Sequence, residues 1–93
     1  MYRVIVSRDV VKKAKKLLKP SQRRKLAEFI EVLRENPYPK PPYDLKPVRG
    51  ERSKGTNTHR LRIGDYRVFY TVYWDDRTII VTDIRPRESA YRK

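Results

Sequence analysis

Apolar and polar residues alternate most regularly between Arg60 and Tyr70, and this alternation predicts two β-strands joined by a Gly64-Asp65 loop. If those two residues are the whole loop, Arg62 lies opposite Arg67, and residues opposite each other share a face of the sheet. One face is then apolar, with Leu61, Ile63, Tyr66, Val68, Tyr70 and Val72. The other face carries Arg60, Arg62, Arg67 and Phe69. A small surface with three guanidinium groups is expected to hold an anionic ligand.

The segment before residue 37 predicts one strand and two helices. Tyr2 to Ser7 alternates and is rich in β-branched residues, and Ser7 is suited to cap a helix whose apolar residues recur at helical spacing. Pro20-Ser21 ends that helix and begins a second one, which Asn36-Pro37 ends. The two helices form a helical hairpin. Lys12, Lys13, Lys15 and Lys16 fall outside the apolar stripe, which is more typical of a solvated helix face than of a dedicated nucleic-acid contact.

The segment between the helices and the hairpin is rich in proline and then in basic residues. Pro37 to Pro47 contains five prolines, which predicts an extended connection over the surface. The loop that follows brings Arg49, Arg52 and Lys54 close to the hairpin. These three residues are candidates for RNA binding, together with Phe69, although a solvated loop would show the same composition.

The chain after the hairpin predicts a central strand from Tyr66 to Trp74 and a last strand from Thr78 to Arg85. A three-residue loop between them places Ile80, Thr82 and Ile84 on the core face and Arg85 beside the other arginines. A two-residue loop places Ile79, Val81 and Asp83 on the core face instead. We prefer the first register because it keeps Asp83 out of the core. The fold prediction for residues 1–93 is a single α+β domain in the order β-α-α-β-β-β, with an antiparallel sheet and the two-helix hairpin packed on one face.

The charge balance narrows the class of partner. The chain of 93 residues has 24 Lys and Arg against 11 Asp and Glu, a formal net charge of +13, so a polyanion or an acidic protein should bind it, and nucleic acid is the first candidate. The absence of cysteine excludes disulfides and thiolate chemistry. No signal peptide or bilayer-spanning segment is evident, so we expect a cytoplasmic protein without membrane contact. No pattern indicates a cofactor or a metal.

Two phrases and the order of elements resemble the RelE/ParE toxin superfamily, and archaeal RelE toxins in particular. The phrases are His59-Arg-Leu-Arg-Ile-Gly-Asp-Tyr-Arg-Val-Phe-Tyr70 and Arg85-Pro-Arg-Glu-Ser-Ala-Tyr-Arg92. The resemblance implies a toxin of a type II toxin–antitoxin system that cleaves messenger RNA in the ribosomal A site without a metal. It implies three partners, namely the ribosome, messenger RNA and a cognate antitoxin.

The resemblance also implies which residues act. Arg60 and Arg62 take the places of two basic strand residues, Arg67 takes the arginine of Tyr-Arg, and Tyr91 takes the C-terminal tyrosine. The arginine before that tyrosine is Arg87 or Arg85, and Arg87 fits the archaeal pattern better because it lies four residues before Tyr91. The candidate catalytic residues are therefore Arg60, Arg62, Arg67, Arg85, Arg87 and Tyr91.

RNA cleavage by its own 2′-hydroxyl group requires stabilisation of charge on a phosphorane, and guanidinium groups provide this directly. The general base is harder to identify. His59 falls on the face opposite the arginines, which favours a packed histidine, whereas Tyr91 could act as the base or stack on a nucleobase. Two other functions remain compatible with the sequence. One is a ParE-like toxin that inhibits its target by binding, and the other is a basic RNA-binding module that does not cleave.

Overall fold

A five-stranded sheet with the two long helices on one of its faces organises the computed structural model, which describes residues 1–48 and 55–90. The strands in chain order are β1 (Arg3–Val6), β2 (Leu45–Pro47), β3 (Thr56–Ile63), β4 (Tyr66–Tyr73) and β5 (Thr78–Pro86). The helices are α1 (Arg8–Leu17), α2 (Pro20–Glu35) and the short α3 (Arg87–Ala90). Among these residues, no helix has the length and apolar character needed to cross a lipid bilayer.

The sheet has the strand order β1-β5-β4-β3-β2, with β4 at its centre, as predicted, and β1 at one edge. The pairs β2–β3, β3–β4 and β4–β5 are antiparallel, whereas β1 runs parallel to β5. The α+β class is therefore confirmed, and the sheet is mixed because β1 pairs in the parallel direction. The chain between β1 and β5, which includes both long helices, provides the long connection that such a pairing needs.

The predicted ends of the helices are confirmed. The Ser7 side chain accepts a hydrogen bond of 3.2 Å from the backbone N–H of Val10 and so caps α1. Pro20 is the first residue of α2, where its missing N–H has no intrahelical partner to lose. Asn36 follows the last residue of α2 as its C-terminal cap.

The core lies between α1, α2 and the apolar face of the sheet. The Phe29 and Tyr70 rings meet edge to face, with 5.7 Å between their centroids. The Tyr70 hydroxyl donates a hydrogen bond of 2.8 Å to the Pro37 carbonyl, which connects the central strand to the chain after α2. The fully buried side chains include Val10, Phe29, Leu33, Leu61, Ile63, Val68, Tyr70, Val72, Ile79, Val81 and Ile84.

The register of β5 corrects both predicted alternatives. Tyr73 pairs with Thr78, so residues 74–77 form the connection, which is longer than either loop considered. Phe69 pairs with Asp83 and Tyr70 with Val81, so Thr82 is an extra residue that forms a bulge in β5. Beyond this bulge, the even-numbered residues of β5 face the core instead of the odd-numbered ones. Ile79 and Val81 are buried as in the two-residue register, whereas Ile84 is buried and Arg85 lies opposite Arg67 as in the preferred three-residue register. Ile80 and Thr82 do not join the buried core as the preferred register required, since Ile80 is half-buried and Thr82 is exposed.

The proline-rich segment contains a strand that was not predicted. Leu45, Lys46 and Pro47 pair with Leu61, Arg60 and His59 of β3. This strand lies at the sheet edge, where the missing N–H of Pro47 is tolerated. The extended conformation was predicted, but its pairing with the hairpin was not.

Candidate functional site

The sheet face opposite the helices carries two rows of mostly charged side chains, which we call the basic face. In the first row Arg62 pairs with Arg67 and Arg67 pairs with Arg85, while the Arg62 N–H donates to the Asp44 carbonyl at 3.0 Å. The neighbouring row contains Lys46, Arg60, Phe69 and Asp83, each paired with the next. Adjacent strands lie about 4.8 Å apart, so four strands bring cations into close proximity. The hairpin register, and with it the shared face of Arg60, Arg62 and Arg67, is the one predicted.

One end of the basic face forms an open pocket of about 50 Å³. Four of its five lining residues are cationic, so the pocket suits an anionic group such as phosphate. The lining residues are Asp44, Lys46, Arg60, Arg62 and Arg67.

Arg67 and Arg62 differ in how they are held. Arg67 is only 4% exposed, and its Nη1 atom donates to the carbonyls of Gly64 at 3.1 Å and Tyr66 at 3.0 Å. These bonds fix the guanidinium group to the hairpin loop. The Arg62 side chain is 58% exposed, and its Nη1 atom lies 3.9 Å from a carboxylate oxygen of Asp44. Arg62 is thus accessible to a ligand, whereas Arg67, opposite it on the neighbouring strand, is held in place by its hydrogen bonds.

The other end of the basic face is neutralised internally. The Asp83 carboxylate accepts hydrogen bonds from Arg85 Nε at 2.8 Å, Lys13 Nζ at 2.6 Å and the Ile84 N–H at 2.8 Å. Burial alone would raise the pKa of Asp83, but these hydrogen bonds outweigh it and hold the pKa below its ordinary value. Lys13 therefore departs from the solvated helix face predicted for it, because α1 packs beside β5 and brings its ammonium group to Asp83.

Phe69 shares the basic face as predicted, but it is 7% exposed. The Arg85 guanidinium carbon lies 4.9 Å from the centroid of its ring. This cation–π contact, together with Asp83, holds Arg85 flat against the sheet. The ring therefore supports Arg85, and a base could stack on it only if Arg85 moved away.

His59 lies on the opposite face of the sheet, as predicted for a packed histidine. Its ring is 4.5 Å from that of Tyr38 and 5.9 Å from that of Tyr70, measured between centroids. Its Nδ1 atom is buried and has no hydrogen-bond partner among the described residues. Burial lowers the pKa of His59, so the neutral imidazole is favoured. His59 is thus a packing residue on the face of the sheet opposite the arginines.

Of the remaining predicted site residues, the structure describes Arg85 and Arg87 but not the other four. Arg87 is exposed at the start of α3, and its backbone N–H donates to the Asp65 carbonyl at 2.7 Å, which places it beside the hairpin loop. Arg85 is the member of the pair that continues the row through Arg67. Arg49, Arg52, Lys54 and Tyr91 lie outside the described residues.

Sequence reasoning missed Asp44 and Lys46 on this face. The signal was the alternation Asp44-Leu45-Lys46, in which the half-buried leucine lies between two exposed charged residues. The surrounding prolines concealed it, because they argue against a strand.

The fold and the basic face together define a small α+β protein with helices on one face of its sheet and a surface rich in arginine on the other. A family model for the ParE toxin of type II toxin–antitoxin systems matches residues 4–91. A curated relative from Methanocaldococcus jannaschii, named "Putative toxin RelE1", is 42% identical over 91 residues, which cover 98% of this chain and 96% of that protein. The chain therefore belongs to the RelE/ParE superfamily of toxins from type II toxin–antitoxin systems.

Solved structures agree with this membership. A chain of the archaeal RelE–RelB complex from Pyrococcus horikoshii OT3 superimposes with a TM-score of 0.81 at 34% identity, covering 92% of this chain and 94% of that one. The isolated E. coli RelE toxin superimposes with a TM-score of 0.64 at 19% identity, covering 92% and 84% of the two chains, and so supports the fold alone.

Proposed function

We propose that residues 1–93 act as a single toxin domain that cleaves messenger RNA in the ribosomal A site, in the cytoplasm and without a metal or cofactor. The observation that carries this proposal is the row of guanidinium groups formed by Arg62, Arg67 and Arg85 on paired strands. Binding of RNA alone does not require a guanidinium group held as rigidly as that of Arg67. A preorganised charge of this kind is suited to stabilise charge that develops in a transition state.

The proposed reaction is attack of a ribose 2′-oxygen on the adjacent phosphorus atom. The resulting phosphorane carries additional negative charge on its oxygens, and Arg62 with Arg67 would stabilise it while Arg60 and Lys46 hold the phosphate in the pocket. The resemblance to RelE toxins supports roles in catalysis for Arg85, Arg87 and Tyr91 as well. Arg49, Arg52, Lys54 and Phe69 are proposed to contribute to RNA binding.

We also propose that an acidic, RelB-type antitoxin neutralises this protein by covering the basic face. Two observations support this partner. The net charge of +13 favours an acidic ligand, and the structural neighbour from Pyrococcus horikoshii OT3 is a RelE–RelB complex. An amphipathic helix or an extended segment would provide the covering surface.

Primer extension on a translated message tests the proposed cleavage. The parent protein is expected to produce a cut within the A-site codon, and Arg62→Ala is expected to remove it. Arg62 is the better probe because its exposed side chain can be removed without disturbing the core. Lys25→Ala provides a matched control, since it removes one exposed positive charge from α2 on the other side of the sheet.

A second candidate function is inhibition by binding alone, and the match to the ParE toxin family model favours it. The same experiment separates the two functions. Growth inhibition by the parent protein without any cut in translated messages would support a binding toxin and would contradict the nuclease.

A further inference from the structure

Cleavage by a 2′-hydroxyl group needs a group that accepts its proton, and among the residues that the structure describes the basic face contains two carboxylates that could do so. Asp44 lies at one end of the first row and Asp83 at the opposite end of the second. A general base must lie within hydrogen-bond reach of the proton it removes and must have a free lone pair. Asp83 fails these criteria and Asp44 meets them, as the contacts of each carboxylate show.

The carboxylate oxygens of Asp83 already accept hydrogen bonds from other protein groups. Its two oxygens accept hydrogen bonds from Lys13, Arg85 and the Ile84 N–H, and these bonds lower its pKa. A carboxylate stabilised in this way is a weak proton acceptor. Asp83 therefore positions Arg85 and is not a candidate for the base.

Asp44 is held differently. It precedes β2 and is one of the five residues that line the pocket, where it is the only carboxylate among them. Its side chain is 50% exposed, and one of its carboxylate oxygens lies 3.9 Å from Arg62 Nη1, too far for a strong hydrogen bond. The carboxylate is thus accessible beside the Arg62 guanidinium group, which is proposed to stabilise the phosphorane.

Resting on the proposed RNA cleavage, we propose that Asp44 is the general base that removes the proton from the attacking 2′-hydroxyl group. The 2′-hydroxyl group and the phosphate that it attacks belong to adjoining positions on one ribose. A phosphate held in the pocket by Arg60 and Lys46, with Arg62 directed at it, therefore brings that hydroxyl group close to the carboxylate of Asp44, which lines the same pocket. His59 cannot serve in this position, because it lies on the opposite face of the sheet.

The proposed step balances without an added reagent. The 2′-hydroxyl proton passes to a carboxylate oxygen of Asp44 as the 2′-oxygen forms a bond to phosphorus. The bond between phosphorus and the 5′-oxygen breaks, and the 5′-oxygen takes a proton from an acid or from water. The products are a 2′,3′-cyclic phosphate and a 5′-hydroxyl end.

The test is a single-turnover cleavage assay on programmed ribosomes, with ribosome binding and thermal unfolding measured separately. Asp44→Ala is expected to lower the cleavage rate by about 10²-fold or more. Its ribosome binding is expected to stay equal or become tighter, because a negative charge leaves an anion-binding pocket. Sodium formate, a small carboxylate, is expected to restore part of the rate of Asp44→Ala and to leave the parent rate unchanged. Asp65→Ala, which removes an exposed carboxylate from the hairpin loop, is the matched control and is expected to cut at the parental rate.

If Asp44→Ala loses activity and formate does not restore it, the cleavage rate of Asp44→Glu provides a second test. A carboxylate one methylene longer is expected to retain more activity than alanine if the group accepts a proton. Equal loss in both variants without formate rescue would overturn the proposal, as would a parental or increased rate for Asp44→Ala. A parent protein that makes no cut on ribosomes would overturn the proposed function itself, which distinguishes the two failures.

Discussion

Arg67 has a structural role in the hairpin in addition to the chemical role proposed for it. A charged side chain that is 4% exposed is costly to bury unless polar groups compensate it, and the carbonyls of Gly64 and Tyr66 do so here. The same two bonds hold the hairpin loop. The orientation of the guanidinium group and the geometry of the loop therefore depend on the same two hydrogen bonds.

Arg67→Ala is expected to lower the free energy of unfolding by roughly 1–3 kcal/mol, because it leaves partly buried carbonyls without their donor. Arg62→Ala should change it by less than about 0.5 kcal/mol, since Arg62 is exposed. Urea denaturation of both variants measures the difference. Equal stability of the two would mean that the loop does not depend on Arg67. Arg67→Lys keeps the charge but not the guanidinium group and should also be destabilised.

His59 predicts a pH dependence of stability. Burial lowers its pKa in the folded state below the ordinary value of 6.5, so the folded state binds the proton less readily than the unfolded chain. Its stabilising contribution is complete above 6.5 and is lost as the pH falls through the lowered value. His59→Phe keeps the ring packing and removes the titration. This variant should show a flatter profile in denaturation experiments just below pH 6.5. The pKa of Asp83 is lowered from 3.8, so its contribution has the same sign but is lost at more acidic pH.

At the scale of the elements, a substitution in the central strand β4 can test which side chains of the sheet face the core. Val68 is fully buried on the apolar face, so Val68→Asp would bury a carboxylate without a partner. We expect it to lower stability by several kcal/mol, about enough to unfold a domain of this size. Ala27→Asp introduces the same side chain at an exposed position of α2 and should be nearly neutral. Similar thermal unfolding of the two variants would contradict the orientation of β4.

The hairpin could be predicted from sequence because its loop allows few alternatives. Gly64 adopts a φ of +56°, which glycine accepts without strain, and a Cβ atom there would lie 2.6 Å from Gln22 Nε2. A two-residue loop fixes the pairing of Arg62 with Arg67, and the alternation of side chains then places the arginines on one face.

The register of β5 could not be predicted in the same way. The bulge opposite Phe69 and Tyr70 changes which residues of β5 face the core, and no glycine or proline marks it in the sequence. The Lys13–Asp83 ion pair depends on how α1 packs beside β5, which is a tertiary effect. Asp44 and Lys46 were missed because local proline content concealed a strand that pairing with β3 stabilises. The arginine face and the place of Asp83 outside the core were thus predictable, whereas the ion pair of Asp83 with Lys13 and the position of Asp44 were not.

At the scale of the whole molecule, the positively charged side chains fall into two groups, one in the pocket and one on the surface of α1, and we expect the two groups to have different functions. The pocket concentrates cations on paired strands, where they can be directed at one phosphate. The exposed lysines of α1 are spread over a helix surface. Lys12, Lys15 and Lys16 belong to this second group, whereas Lys13 is ion-paired with Asp83.

Lys16→Ala should therefore weaken association with ribosomes modestly and lower the slope of log affinity against log salt by about one unit or less, because it removes a screened long-range attraction. The cleavage rate of ribosome-bound protein should not change. Arg62→Ala should lower that rate by about 10²-fold or more, while its effect on association stays modest, because its charge acts on the reacting phosphate. Binding at several salt concentrations and single-turnover cleavage at saturating ribosomes separate the two effects. If Lys16→Ala slowed cleavage after binding while Arg62→Ala cut at the parental rate, then catalysis would belong to the helix surface and docking to the pocket, the reverse of the division argued from the structure.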